Sequence, residues 1–486
     1  MHDETENLLN LEQARLEPQD AAPTPLGAAP VYLQIAEEIR AQIMDGKLGP
    51  GEALPGTRTM ATQFGVSYVT VHRALQVLIK EKLLHSSERS RTLVSQRFDP
   101  QAAVEKLANL PESGPFEGFE KTARLSQVQS VATHAPDPEL FPIDSFFADV
   151  HMIARTDPWV LFHSEAAGEK RLRSVYAKQY SKEGLPTKSS QMSMASIVQA
   201  HGALIGALSQ GKPIVIEQPY SLWAEKAFSS SSELKWMDNW GSIPNLNQLE
   251  DAFRAGSKLA IVSSTGCFTG GAPWNAQVRK DALQLADRYG AQIIERCSTH
   301  RFSYTSKSPK LLAEADSVGV VWTLDLVPHV LAPSIHIAFI RAPMGHPLSQ
   351  EIVPPQTLMS YCNPIALAVG SMVKSGRWDE HVRRCSRVYS ERQSALLTQL
   401  QLHTPHGVQF HPSQSGLAFY LQLPHEVDSA ELYRASIEAK TAVIPGEFLS
   451  RTGDGRKYVR IVFSLTDVSK AGSAAKRIAT ALRKFC

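Results

Sequence analysis

Cysteine is scarce in this chain and does not pair. Cys267, Cys297, Cys362, Cys385 and Cys486 are five scattered residues in 486, an odd number without paired spacing. That argues against a disulfide framework and suits thiols kept reduced. No apolar run approaches the roughly 20 residues that span a bilayer, so no membrane partner is expected. The opening MHDETENLLNLEQARLEPQD is polar and acidic, and does not read as a secretory signal. The expected compartment is the cytoplasm. Neither sign of charge dominates, with 50 Lys and Arg against 48 Asp and Glu. The net charge of +2 therefore says little about partners, since a local basic patch can bind DNA within a near-neutral chain.

What is present is ordinary globular composition, 43% apolar and 20% charged, at a length that suits two or three folded units. Residues 1–28, acidic and then rich in Ala and Pro, read as a disordered leader. Residues 29–97 have a compact helical pattern. Residues 98–130 carry Pro100, Pro111, Gly114, Pro115 and Gly118 with few apolar clusters, and read as a linker with one short helix at AAVEKLANL. From 131 to 486, helical stretches alternate with the apolar runs KPIVIEQ, KLAIVSS, AQIIERC, SVGVVWTL and IHIAFIRAP. That alternation predicts an α/β domain with a mostly parallel sheet.

In VYLQIAEEIRAQIMDGKL, Tyr32, Ile35, Ile39 and Ile43 fall on one helical stripe. GPGEALPGTR breaks that helix. TRTMATQF follows, with Met60, Ala61 and Phe64 on one face, and Gly65-Val66-Ser67 makes a short turn in which Ser67 is a natural N-cap. The next helix, SYVTVHRALQVLIK, is predicted to bury Val71, Ala74, Leu75, Leu78 and Ile79. Its opposite face presents Tyr68, Val69, Thr70, His72 and Arg73. This order of elements is helix-turn-helix geometry. Arg73, Lys80, Lys82, Arg89, Arg91 and Arg97 against only Glu81 and Glu88 form a local surplus that attracts phosphates.

PVYLQIAEEIRAQIMDGKLGPGEALPGTRTMATQFGVSYVTVHRALQVL resembles the GntR family of winged-helix regulators along its whole length. LGPGEALP, Arg58 and GVS-x-x-TV-x-x-AL all stand at the family spacing. The resemblance implies double-stranded DNA as partner and a contact set of Arg58, Ser67, Tyr68, Thr70, His72, Arg73, Arg89 and Arg91. Two departures bear on base preference. The family often has basic residues where Tyr68 and His72 stand, and Arg89 and Arg91 replace two wing glycines.

A winged helix, a linker and a long α/β domain together resemble the MocR subfamily, whose effector domain has the fold-type I aminotransferase architecture. The anchors are APDPELFP (135–142), AGEKRLR (167–173), IEQPYSLW (216–223), FTGG (268–271), AQIIE (291–295), LAP and IRAP (331–343) and VRIVFS (459–464). Aligned on them, the positions that would hold pyridoxal phosphate carry other groups. The Schiff-base lysine falls on His329, with Leu-Ala-Pro directly after it, and no lysine lies between Lys310 and Lys374. An imidazole forms no stable aldimine. The aspartate that would hold the pyridine nitrogen protonated falls on Arg296, whose guanidinium would oppose that proton. The ring-bonding tyrosine falls on Ser298. In the phosphate cup, Pro328 replaces a serine and His336 an arginine, while Ser196-Ile197-Val198 stands for the Gly-Ala-Gln loop. A further tyrosine falls on His163.

These losses predict a chain without catalytic residues, in which the aminotransferase-like domain serves dimerisation and ligand sensing. Covalent pyridoxal phosphate is excluded; non-covalent pyridoxal phosphate stays open as an alternative effector. Arg460, in VRIVFS, stands where the family clamps a substrate carboxylate, so a small carboxylate is the ligand it would suit, with a strand-edge stabilising role equally open. Tyr220 and Trp223 read as core aromatics. His163, Cys267, Cys297, His300, His329 and His336 match no compact metal motif, so no metal is expected. A homodimer is expected by analogy with the subfamily.

Overall fold

The computed structural model describes residues 30–44, 48, 51–80, 83–86, 92–94, 128–162, 168–219, 233–240, 243–266, 273–343, 345–346, 363–451 and 454–485. The chain divides into two compact units, Met1–Phe98 and Asp99–Cys486. The expected leader and most of the expected linker lie outside the described residues.

The first unit contains helices α1 (Val31–Met44), α2 (Thr57–Phe64) and α3 (Tyr68–Lys80), then strands β1 (Leu84–Ser86) and β2 (Thr92–Val94). The predicted stripe closes its core. Ile35, Ala36, Ile39 and Ile43 of α1 pack with Met60 of α2 and with Val71, Ala74, Leu75 and Leu78 of α3. Ile79, expected to be buried, is half-buried. α2 stops at Gly65, whose φ of 64° is a left-handed C-cap that glycine adopts at little cost. α3 starts on Ser67, whose Oγ accepts from the Thr70 amide at 3.1 Å. The segment around Gly51–Leu54 does more than break a helix. Gly51 N and Leu54 N donate to Val94 O and Thr92 O at 2.9 Å each, and Ala53 bridges Leu93, so this loop edges the antiparallel β1–β2 pair.

In the second unit, packing begins earlier than position 131. Val128 is buried, and β3 (Gln129–Ser130) pairs in parallel with Thr441–Ala442, so residues 128–130 belong to the domain rather than to the linker. Among the described residues, seven strands form the main sheet: β4 (Met192–Ser196), β5 (Ile214–Gln218), β6 (Leu234–Asp238), β7 (Leu259–Val262), β8 (Gln292–Cys297), β9 (Val321–Leu326) and β10 (Ile337–Arg341), in the spatial order 4-10-9-8-7-5-6. β6, β5, β7, β8 and β9 run parallel, and β10 is antiparallel to both β9 and β4. Both faces are apolar, as a sheet covered on two sides requires. Ile293 and Cys297 of β8 enter one core cluster, while Ile294 enters the other with Leu324 and Leu326 of β9. Helix α4 (Lys170–Lys182) serves the first face and α5 (Ile197–Ser209) the second. A smaller antiparallel sheet follows, with strands at Gln409–His411, Ala418–Gln422, Tyr458–Val462 and Ile444–Pro445 in that order.

Candidate functional site

The first candidate site is the outer face of α3. Tyr68 and Val69 are 51% and 57% exposed, and His72 and Arg73 are exposed beside them. Tyr68 stacks on His72 one turn later, with ring centroids 6.0 Å apart and planes 9° from parallel. Ser67 Oγ lies 2.8 Å from Thr70 Oγ1, so the hydroxyls at the mouth of the helix are held together. Arg58 is exposed in the first turn of α2. Arg89 and Arg91 lie outside the described residues. Ser67, Tyr68, Thr70, His72 and Arg73 thus share one helix end.

The second candidate site lies at the carboxyl ends of the parallel strands, where sheets of this class bind ligands. Arg296 is the penultimate residue of β8 and points to the same face as Ile294, away from Glu295. His329 ends a short 3-10 turn, Val327–His329, directly after β9. Arg460 comes from the small sheet, paired across the ladder with Tyr420 and Ile444. Arg296 and Arg460 are buried and His329 is half-buried. Two further histidines complete the group. His134, half-buried, lies with Nδ1 2.8 Å from Arg460 Nη2, and its ring meets the His329 ring edge-on at 5.8 Å. His201, buried in the first turns of α5, bonds the Ile197 carbonyl through Nδ1 at 2.8 Å.

Burial, with the Arg296 and Arg460 charges, pushes His329 down to about 3. Burial and Arg296 hold His201 at about 4. His134 is lowered well below the usual imidazole range, chiefly by burial and then by Arg460. All three rings are therefore neutral near pH 7. The acid that Arg296 reaches is Glu217 at the end of β5, whose carboxylate already accepts from Ser263 N, from Asn239 Nδ2 at 2.5 Å and from Trp274 Nε1 at 3.1 Å.

The other predicted pocket positions are distributed around this group. Pro328 is buried in the same turn, and Ser298, just past β8, is fully buried with its N–H donating to His300 Nδ1 at 3.1 Å. Ser196 is buried as the residue preceding α5 and pairs in register with Ile337. His336, one residue before β10, is exposed. His163, Cys267, Tyr220 and Trp223 lie outside the described residues. Among the described residues no cluster of three or more His, Cys, Asp or Glu has metal-binding geometry. No described helix is long and apolar enough to cross a membrane.

Sequence reasoning missed His134, His201 and an ion-pair network on the opposite face of the sheet. There, buried Arg301 bonds Asp325 Oδ2 at 2.8 Å and both Glu183 oxygens at 2.9 Å, and Tyr180 donates to Asp325 at 3.1 Å. His134 directly precedes the APDPELFP anchor, the one local signal that could have drawn attention to it.

What the structure brings together here is two buried guanidinium groups and three imidazoles held neutral near pH 7.

Residues 31–94 match the family of bacterial regulatory proteins called gntR. Over 446 residues the chain is 24% identical to YdcR of Escherichia coli K12, described as an uncharacterized HTH-type transcriptional regulator, covering 88% of this chain and 94% of that one. It is 22% identical to the probable rhizopine catabolism regulatory protein MocR of Rhizobium meliloti, over 84% of each chain. Its fold is that of the multiple substrate aminotransferase of Thermococcus profundus, with a TM-score of 0.69 and 22% identity over 80% of this chain and 99% of that one. The first unit is thus a GntR-type winged helix, and the second has the aminotransferase fold.

Proposed function

We propose that this chain, a GntR-type transcription regulator of the MocR kind, binds duplex DNA through Arg58, Arg73 and the start of α3, and uses its aminotransferase-like domain without covalent pyridoxal phosphate and without transamination. The observation that carries the reading is the His329 ring, neutral and flanked by Arg296 and Arg460, at the position the resemblance assigns to the Schiff-base lysine. The large domain acts instead as dimerisation and ligand-sensing module. Support for a homodimer comes from exposed apolar side chains: Ile143, Phe147 and Met152 on the helix Ile143–Thr156, and Trp159, Leu161 and Phe162 after it, with the Trp159 and Phe162 rings 6.1 Å apart. Patches of this kind mark protein contacts more often than idle surface.

Duplex binding is expected to weaken steeply with salt, by roughly 0.9 decades of affinity per decade of salt for each phosphate neutralised. Arg58→Ala and Arg73→Ala should each weaken binding and reduce that slope by about one phosphate. Fluorescence anisotropy against salt reads both quantities, and parent-like slopes in both variants would refute the docking face. Borohydride treatment after incubation with pyridoxal phosphate should label exposed lysines only, with no lysine labelled in preference to them. Reversible absorbance without fixation would favour the non-covalent effector, and fixation on any lysine of the pocket would sink the reading.

A further inference from the structure

We infer that Val69, at the start of α3, reads the C5-methyl group of thymine, so that this end of the helix selects its base by an apolar contact. The inference rests on the reading that α3 docks on duplex DNA, and it adds which base the helix end prefers.

Helical geometry places Val69 on the outermost line of α3. With roughly 100° of turn per residue, Val71, Ala74, Leu75 and Leu78 gather on one side, and all four are buried. Val69, Arg73, Gln76 and Lys80 form the row directly opposite, and all four are exposed. A helix lying in the major groove meets base edges with its N-terminal residues, and Val69 is the first member of that row.

Its neighbours decide which base suits it. From Ser67 to His72 there is no Arg, Lys, Asn, Gln, Asp or Glu. The forks that single out guanine or adenine, and the carboxylate that accepts from cytosine, are therefore missing from this end. Its two hydroxyls are engaged locally: Ser67 Oγ lies 2.8 Å from Thr70 Oγ1 and accepts from the Thr70 amide at 3.1 Å. The Tyr68 and His72 rings are held against each other, parallel to within 9°. Val69, 57% exposed, is left to present its two methyl groups. In the major groove, the thymine methyl is the apolar group that a base pair offers. Arg73 and Gln76 follow one and two turns later, so hydrogen-bonding readout along this row begins only beyond Val69.

The test uses the full chain and a duplex that it enriches from a random-sequence library. Each thymine of the enriched motif is replaced in turn by deoxyuridine, which removes the methyl and keeps every hydrogen-bonding group of the pair. Affinities are read by fluorescence anisotropy at one salt concentration. At least one replacement should weaken the parent roughly fourfold, the equivalent of about 0.8 kcal/mol for one buried methyl. Val69→Ala should bind the thymine and deoxyuridine duplexes equally, whereas Val69→Ile, which keeps an apolar contact, should still tell them apart. The salt dependence should be the same for both duplexes, because a methyl carries no charge. An enriched motif without thymine, a parent indifferent to every replacement, or a fourfold loss that persists in Val69→Ala would each overturn the inference and leave DNA binding standing. A chain that enriches no duplex at all would overturn the docking of α3 on DNA, and the inference with it.

Discussion

Replacing His201 by Gln should flatten the acid sensitivity of the large domain by an amount that follows from its burial. The ring sits against the sheet, bonded to the Ile197 carbonyl, and takes a proton in the folded chain only near pH 4. In the unfolded chain it does so near 6.5. A ring lowered in this way contributes its full stability above pH 6.5 and loses it as the pH falls toward 4, because the unfolded state binds the extra proton. The slope is about 1.4 kcal/mol per pH unit for each such proton. Between pH 6.5 and 4.5 the loss is about 2 kcal/mol, a large share of the roughly 5–15 kcal/mol that holds a domain folded. Glu217 and Glu295, whose carboxyls burial raises, act in the opposite sense, so the absolute pH profile mixes several groups. The difference between parent and His201→Gln removes them. Glutamine can keep the bond to Ile197 but has no proton to take. All seven tryptophans, at 159, 223, 236, 240, 274, 322 and 378, lie in the unit Asp99–Cys486. Urea unfolding followed by tryptophan fluorescence, at one protein concentration, therefore reads this unit alone. Parallel stability curves for parent and variant between pH 6.5 and 4.5 would refute the buried, neutral ring.

Ser67→Ala removes the cap of the recognition helix, at a cost of about 1 kcal/mol. Hydrogen exchange of the amides at the start of α3 should accelerate about fivefold, and unchanged protection would show that the Thr70 amide bond is not what starts the helix. Gly446→Ala would place a Cβ 2.4 Å from the Gly455 carbonyl oxygen and 2.7 Å from that of Tyr458. Backbone cannot yield as a side-chain end does, so a loss of about 1–3 kcal/mol or more is expected in the urea midpoint of the large domain.

The winged helix was legible because its signals are local. A helical stripe, a glycine that accepts positive φ and a serine three residues before the amide it caps all fall within a few positions of one another. The edge strand at Gly51–Leu54 was not, since Gly and Pro there read as helix breakers, and only its distant partners Thr92–Val94 give it hydrogen bonds. In the large domain the parallel strands rich in Val, Ile and Leu announced themselves. β4 did not: Met-Ser-Met-Ala-Ser has no β-branched apolar residue, and it becomes a strand because β10 offers a ladder 140 residues further on. The pocket was half legible. Arg296, His329 and Arg460 were reached through the anchors, but the bond from Arg460 to His134 joins residues 326 apart, which no periodicity reports.

The chemistry of this pocket and the stability of its fold rest on different atoms. Ile293 and Ile294 of β8 and Leu324 and Leu326 of β9 fill both cores before the strands reach their carboxyl ends. Arg296 and His329 hang beyond that packing, so exchanging the groups at these positions changes what the domain can bind without emptying a cavity in its core. Sensing asks more than binding. A ligand held by the large domain alters DNA affinity only to the extent that it binds the DNA-competent state and its alternative differently.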